Sequence, residues 1–392
     1  MNQCKAQMTK IKCQMAAEKR ILIVTGEASG DLHGAKLAKI LFQERKGLKI
    51  LGVGGDNMIG SGVEIIFHIR DLGVVGITEV FFHLRAIRDA FKSVRRIIED
   101  GRIDLVILID YPDFNLRIAE IVKKRGIPVI YYISPQIWAW RSWRIKKIAR
   151  LVKKMIVILP FEEKIYRDAG VDCEFVGHPL LDDCEPAFNK TEFCARHGID
   201  PNRPVIGMMP GSRRGEIRRI LPVMMESAML ISKEIQDVEY ILSAAPTIED
   251  KEIKDITGKW PIDIKIVRDD SNGVIASSGF MMVASGTATL QTAIHCKPMV
   301  IIYRASLITY LIGRLMVRVK HVGLVNLVAG DGIVPEFIQH GAVPERISST
   351  ILGIMKDEKK MDELTKRLSL VRSKIGTPGG SHRAAQIVLG YI

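Results

Sequence analysis

The stretch Pro210-Gly211-Ser212-Arg213-Arg214-Gly215-Glu216 carries the residue types of an anion site. It follows the apolar run Val205-Ile206-Gly207-Met208-Met209 and precedes a long segment of helical spacing. A strand, a glycine turn and a helix start leave unpartnered backbone N–H groups at the positive end of a helix dipole. Arg213 adds a planar, two-pronged donor matched to phosphate oxygens. On these residues alone the stretch is either a phosphate cradle or a polar loop whose arginines face water. Ala284-Ser285-Gly286-Thr287-Ala288-Thr289-Leu290-Gln291 repeats the arrangement after another apolar run and adds hydroxyls. Two such helix starts at the carboxyl edge of one sheet suit a diphosphate.

Carboxylates with room for acid–base chemistry lie in the first half. Thr25-Gly26-Glu27-Ala28-Ser29-Gly30-Asp31 is only loosely like a dinucleotide loop, because G-x-x-x-G replaces G-x-G-x-x-G. Gly26 and Gly30 allow a ligand close to the backbone, and Ser29 or Asp31 can cap the helix that follows. A capping role does not account for Glu27, which reads as a ligand contact. In Ile109-Asp110-Tyr111-Pro112-Asp113-Phe114-Asn115, Asp113 precedes a helix and reads as its cap. Asp110, at a strand end before a rigid proline turn, has no such duty and is the candidate base. Ser134-Pro135-Gln136-Ile137-Trp138-Ala139-Trp140 offers two aromatic faces that either wall a core or pack on sugar rings and acyl chains. His178, in Gly177-His178-Pro179, is read as structural.

The elements that must position these loops form an alternating series. Buried strands are predicted over 20–25, 50–53, 105–109, 129–133 and 155–159, and helical spacing over 31–42, 84–99 and 116–125. The series restarts with strands over 205–209, 240–243, 264–267, 280–283 and 299–303. Such β-α alternation implies parallel sheets covered on both faces. The expected fold is α/β, two Rossmann-like doubly wound domains facing a central cleft. Residues 1–18 are expected to be a disordered extension, 19–185 the first domain, 186–375 the second, and 376–392 a C-terminal helix packing back on the first. The polar stretch 177–204, with one short helix candidate, reads as the linker region. Met15, before Ala16-Ala17-Glu18-Lys19, offers an alternative start.

At 392 residues the chain can bury two cores. Its 57 Lys+Arg against 44 Asp+Glu give a net +13, which favours polyanionic partners such as nucleic acid or anionic lipid. No uncharged apolar run of about 18 residues or more is present, so no membrane span is expected. The six cysteines lack C-x-x-C spacing, which argues against a zinc site or a disulfide framework.

Taken in order, the loops resemble the lipid-A-disaccharide synthase family of Gram-negative bacteria. The matching segments are 26–31, Gly73-Val74-Val75-Gly76-Ile77-Thr78-Glu79-Val80, 110–115, 134–140 with Arg141, Leu159-Pro160-Phe161-Glu162, 210–213, 285–290 and Asn326-Leu327-Val328-Ala329-Gly330. The ordered set runs from about Arg20 to the C-terminus. The resemblance implies a GT-B glycosyltransferase that transfers 2,3-diacylglucosamine from UDP to 2,3-diacylglucosamine 1-phosphate, giving a β-1,6-linked disaccharide. It implies Asp110 as catalytic residue and Glu27, Ser29, Gly30 and Asp31 at the acceptor. Donor UDP would be held by Gly211, Ser212, Arg213, Ser285, Gly286, Thr287, Thr289 and Gln291, with Asn326 elsewhere in the cleft. Gln291 departs from the Glu common in the family, which leaves its ribose contact open.

No cofactor or metal is expected, since no Asp-x-Asp pair occurs and Arg213 with two helix starts can stabilise a leaving diphosphate. The expected location is cytoplasmic, peripheral on the inner membrane. On 84–99, Leu84, Ile87, Phe91, Val94 and Ile98 form one stripe beside Arg85, Arg88, Lys92, Arg95 and Arg96. This is either an interfacial helix, with Arg88, Phe91, Lys92 and Arg95 facing an anionic membrane, or a surface helix whose stripe faces the sheet. The segment 307–322 is a second candidate. A homodimer is compatible with the sequence. A nucleic-acid partner is not expected, because aromatic and basic residues do not interleave as in RNA-binding sheets. Rival readings are a UDP-sugar transferase acting on another lipid-linked acceptor, a UDP-sugar 2-epimerase of the same architecture, and a polyanion-binding module.

Overall fold

A computed structural model describes residues 18–72, 80–138, 142–183, 188–306, 310 and 320–392. The N-terminal extension, the segment 73–79, Ala139 to Arg141 and nearly all of 307–319 lie outside the described residues. The chain divides into two units, Met1–Asp182 with Thr377–Ile392, and Asp183–Gly376.

In the first unit, strands β1 (Lys19–Val24), β2 (Leu48–Gly54), β3 (Glu64–His68), β4 (Leu105–Ile109), β5 (Val129–Tyr132), β6 (Lys154–Val157) and β7 (Cys173–Phe175) alternate with helices. These are α1 (Ala28–Glu44), α2 (Asp56–Gly60), α3 (Val80–Glu99), α4 (Pro112–Lys124), α5 (Ile145–Leu151) and α6 (Pro160–Asp168). All strand pairs are parallel, in the order β3-β2-β1-β4-β5-β6-β7. The central strands are uninterrupted apolar runs because helices cover both their faces: all five residues of β4 are buried.

In the second unit, after helix α7 (Lys190–His197), strands β8 (Val205–Met209), β9 (Glu239–Ala244), β10 (Ile264–Arg268), β11 (Phe280–Ala284), β12 (Met299–Tyr303) and β13 (Glu336–Ile338) are again all parallel. Their order is β10-β9-β8-β11-β12-β13, the doubly wound arrangement of dinucleotide-binding domains. The helices are α8 (Arg214–Ser232), α9 (Asp250–Thr257), α10 (Ser271–Ser277), α11 (Thr287–Ile294), α12 (Leu324–Ala329), α13 (Pro344–Met355) and α14 (Glu358–Lys374).

The last helix, α15 (Gly380–Leu389), belongs to the first unit and packs on α1. Its start is held by Asp182, whose carboxylate accepts the N–H groups of Gly379 (2.6 Å), Gly380 (3.2 Å) and Ser381 (3.1 Å). Arg383 Nε donates to Val176 O, and Arg45 to the carbonyl of Ile392.

The strand order decides where ligands go. In each sheet the order reverses between two neighbouring strands, β1 and β4 in the first unit and β8 and β11 in the second. The loops leaving the carboxyl ends of such a pair diverge to opposite faces and open a crevice. Asp110 and Glu27 flank one of these points; Arg213 and Gly286 flank the other.

Candidate active site

At the first switch point the chain leaves β4 under strain. Asp110 and Tyr111 both have φ of 46°, a left-handed conformation uncommon outside glycine. Pro112 then opens α4, where its missing N–H costs no hydrogen bond. Tyr111 is the N-cap of that helix, and Asp113 is not. Asp113 instead pairs with the buried guanidinium of Arg144, so the expected capping role is corrected.

Asp110 is held half-buried with its backbone N–H on Ile133 O (3.3 Å). Burial, and then the Glu27 carboxylate, push its carboxyl up to about 6, against an opposing pull from the Tyr111 N–H. It is thus ionised near neutral pH yet basic enough to accept a proton. The Tyr111 ring lies over Gly26, where a Cβ would stand 2.2 Å from a ring carbon. Gly26 is needed because no side chain fits beneath that ring.

The α1 loop divides by burial. Glu27 is the N-cap, and with Ser29 it is exposed. Gly30 is buried against Thr25 and Ile109, and a Cβ there would meet Thr25 at 3.1 Å. Asp31, 2 % exposed, accepts from the N–H groups of Gly55 (2.6 Å), Asn57 (3.1 Å) and Met58 (3.2 Å) and from Asn57 Nδ2 (2.9 Å). It caps α2 rather than its own helix, and its oxygens are fully engaged. Of the four residues expected at the acceptor, Gly30 and Asp31 are thus buried and engaged in the fold, and Glu27 and Ser29 are exposed.

Sequence reasoning gave Glu162 no role. It is 1 % exposed, and Oε1 accepts from Ser134 Oγ (2.6 Å) and Trp138 Nε1 (3.0 Å). Burial pushes it up to about 7, against those hydrogen bonds and the N–H of Leu159. A buried carboxylate with several donors ties the loop after β5 to the start of α6. The signal was the Glu three residues into a helix opened by Leu159-Pro160, which also reads as a capping box.

At the second switch point the expected donor loops have a different build. Gly211 (φ 109°) and Gly286 (φ 147°) hold conformations that disfavour side chains. Ser212, Arg213 and Thr287 are exposed. The N–H groups of Ser212 and Arg213 are not bare: Glu216 Oε2 accepts both at 3.3 and 3.4 Å, and Glu216 Oε1 pairs with the Arg213 guanidinium at 3.3 Å. These long bonds make an internal carboxylate the occupant of the helix start.

Other predicted donor residues turn inward. Ser285 Oγ donates to Val322 O (2.7 Å). Thr289, fully buried, donates to Gly286 O (2.8 Å), so its hydroxyl hydrogen serves the turn. Gln291 Nε2 donates to Ser271 Oγ (2.8 Å) and Asn272 Oδ1 (3.0 Å), which occupies both amide hydrogens and leaves it only an acceptor oxygen for a ribose. Asn326 is also fully buried: Nδ2 donates to Val334 O and Glu336 Oε1, and Oδ1 accepts the Val334 N–H. It pins α12 to the start of β13, with its amide hydrogens and oxygen engaged.

The interfacial reading of 84–99 is corrected as well. Ala90, Val94 and Ile98 of α3 are fully buried, and Phe91 packs edge-on against Phe114 at 6.1 Å between centroids. From Ile87 onward the apolar stripe packs on the core of the first unit, with Phe91 partly buried against it. Arg88, Lys92 and Arg95 remain exposed, Arg95 pairing with Glu99 at 2.8 Å. The second candidate, 307–322, lies almost wholly outside the described residues. Among these residues no helix is long and apolar enough to cross a membrane, and no cluster of His, Cys, Asp or Glu could hold a metal ion.

Two doubly wound units, each with a parallel sheet and a switch point, give the chain the α/β GT-B architecture. Solved structures of that architecture align over nearly the whole chain. A UDP-GlcNAc 2-epimerase from Neisseria meningitidis bound to UDP-GlcNAc is similar with a TM-score of 0.65 at 12 % identity, covering 95 % of this chain and 100 % of the other. The calicheamicin glycosyltransferase CalG4 is similar with a TM-score of 0.60 at 13 % identity, covering 96 % and 98 %. At such identities the likeness establishes the fold alone. Sequence is more specific: the chain belongs to the lipid-A-disaccharide synthetase family, whose model matches residues 21–388. It is 44 % identical over 375 residues to the lipid-A-disaccharide synthase of Syntrophus aciditrophicus, covering 95 % of this chain and 98 % of that one. The chain is accordingly a hexosyltransferase.

Proposed function

We propose that the enzyme condenses UDP-2,3-diacylglucosamine with 2,3-diacylglucosamine 1-phosphate in one inverting displacement. The acceptor 6-hydroxyl oxygen bonds to the anomeric carbon as the bond from that carbon to the diphosphate breaks. Asp110 takes the hydroxyl proton, and UDP departs with the bonding electron pair. The observation that carries this reading is a carboxylate raised to about 6 at the first switch point, in a chain of this family. Exposed Glu27 and Ser29 would contact the acceptor. Arg213, Ser212 and Thr287 would receive the diphosphate, with Glu216 displaced from the helix start as the leaving charge develops. Mass spectrometry of products from the two substrates tests the reading. A disaccharide 1-phosphate plus UDP is expected; no condensation, or epimerisation of UDP-N-acetylglucosamine alone, overturns it.

The enzyme would meet its acylated substrates at an anionic membrane face. With the stripe of α3 turned inward, attraction rests on exposed cations, Arg88, Lys92 and Arg95, each adding roughly 1 kcal/mol near such a surface. Trp143, 67 % exposed and beside the exposed Lys146 and Arg150, supplies an interfacial aromatic. Replacing Arg88, Lys92 and Arg95 with Glu should lower co-sedimentation with anionic vesicles while the circular dichroism spectrum stays unchanged. Undiminished sedimentation would remove α3 from the docking surface.

A further inference from the structure

The side chain of Asn115 lies beneath the strained turn at Asp110. It is fully buried, and Nδ2 donates to the carbonyls of Asp110 (2.7 Å) and Ile109 (3.1 Å), with Val24 O at the outer limit of 3.5 Å. Val24 and Ile109 are the last residues of β1 and β4, so one amide spans both strands of the switch point. Two successive carbonyls converge on one amide because the chain reverses at Asp110, where two non-glycine residues in a row adopt the left-handed conformation. Such a conformation persists only where its surroundings over-determine it. Tyr131 Oη, on β5, is a second donor to the same Asp110 carbonyl.

We infer that Asn115 is the positioning residue of the base: its amide fixes the backbone at Asp110 and thereby aims the carboxylate, with Tyr131 in support. The inference rests on Asp110 being the base. Asp at 115 could not replace it, because a carboxylate has no hydrogen to donate and would place a like charge beside Asp110. Leu would keep the volume and leave buried carbonyls unpaired.

The Glu27 carboxylate from the β1–α1 loop raises Asp110 and the Tyr111 N–H opposes it; Tyr131, on β5, feels the Asp110 charge, and Asp113 acts on the Tyr111 hydroxyl. The Arg144 guanidinium acts on Tyr131 in the opposite direction to Asp110. Asn115→Ala removes the clamp, so Asp110 relaxes toward solvent and the acid limb of activity moves down from about pH 6. Asn115→Asp adds a charge, so the limb moves up. Tyr131→Phe keeps the packing and should give a smaller move in the direction of Asn115→Ala.

The experiment measures kcat per folded enzyme against pH for the three variants, with UDP affinity by calorimetry. Expected are a loss of roughly 10–100-fold in kcat for Asn115→Ala, limb shifts of opposite sign for the Ala and Asp variants, and UDP affinity within twofold of the parent. Losses that follow the unfolded fraction, with an unmoved limb in the residual activity and in Tyr131→Phe, would make Asn115 merely structural. A fully active Asp110→Asn enzyme would instead remove the reading on which the inference stands.

Discussion

The two switch points share a topology and differ in chemistry. At β1/β4 the chain partly buries a carboxylate: Asp110 sits half-buried near the Glu27 charge, with its carbonyl on the Asn115 amide, while the Tyr111 ring covers Gly26. At β8/β11 it exposes donors: Ser212, Arg213 and Thr287 stand in solvent on two glycine turns. The first site raises proton affinity through lost hydration and like charge. The second keeps N–H groups and a guanidinium at the surface, where they donate long hydrogen bonds to Glu216. The same crevice can therefore hold a base or an anion, according to which groups its loops bury.

The contrast breaks most visibly at Asp110. Asp110→Asn should lower kcat by roughly 10²–10⁴-fold, the worth of a positioned base, while UDP affinity stays near that of the parent. In the parent, kcat/KM should fall tenfold per pH unit below about 6, because a carboxyl raised to that value is protonated there and cannot accept the hydroxyl proton. An enzyme as active at pH 5 as at pH 7 would place the base elsewhere. The variant's residual activity should lack this limb.

Arg213→Ala tests the other point. A lost charge-assisted hydrogen bond is worth roughly 1.5–3 kcal/mol, so UDP affinity and kcat should fall together by about one to two orders of magnitude. The acid limb should stay where it was. Unchanged UDP affinity by calorimetry would move the diphosphate off this loop.

The glycines separate the sites more finely. Gly26→Ala drives a Cβ into the Tyr111 ring, an overpacking that costs roughly 1–3 kcal/mol of stability, and it should lower kcat with UDP binding intact. Gly286→Ala meets no atom within 4 Å but must adopt φ near 147°, a strain of roughly 1–3 kcal/mol. It should weaken UDP binding and leave the acid limb alone. Thermal denaturation with calorimetry distinguishes the two; identical profiles would mean that neither glycine serves its own site.

The sequence determined the central architecture. The runs at 105–109, 205–209 and 299–303 coincide with β4, β8 and β12, because strands buried on both faces need apolar residues at every position. The strands absent from that reading, β3, β7 and β13, lie at sheet edges. β3 has no buried residue, and its apolar run, Ile65-Ile66-Phe67, is only three residues long. Asp110 stands out in the sequence because a charged residue directly after a fully buried strand has no packing reason to be there.

Tertiary structure decided which polar residues near those loops are occupied. Asp31 and Asn326 look like ligand contacts in one dimension, yet each is satisfied by backbone outside its own helix: Gly55 and Met58 for Asp31, and Val334 for Asn326. The stripe of α3 has the same spacing whether it faces lipid or a sheet, and only packing against Phe114 turned it inward. Asn115 and Glu162 gained their roles in the reverse manner. A side-chain amide or carboxylate is defined by the partners it reaches, and a folded chain draws those partners from segments that its sequence keeps apart.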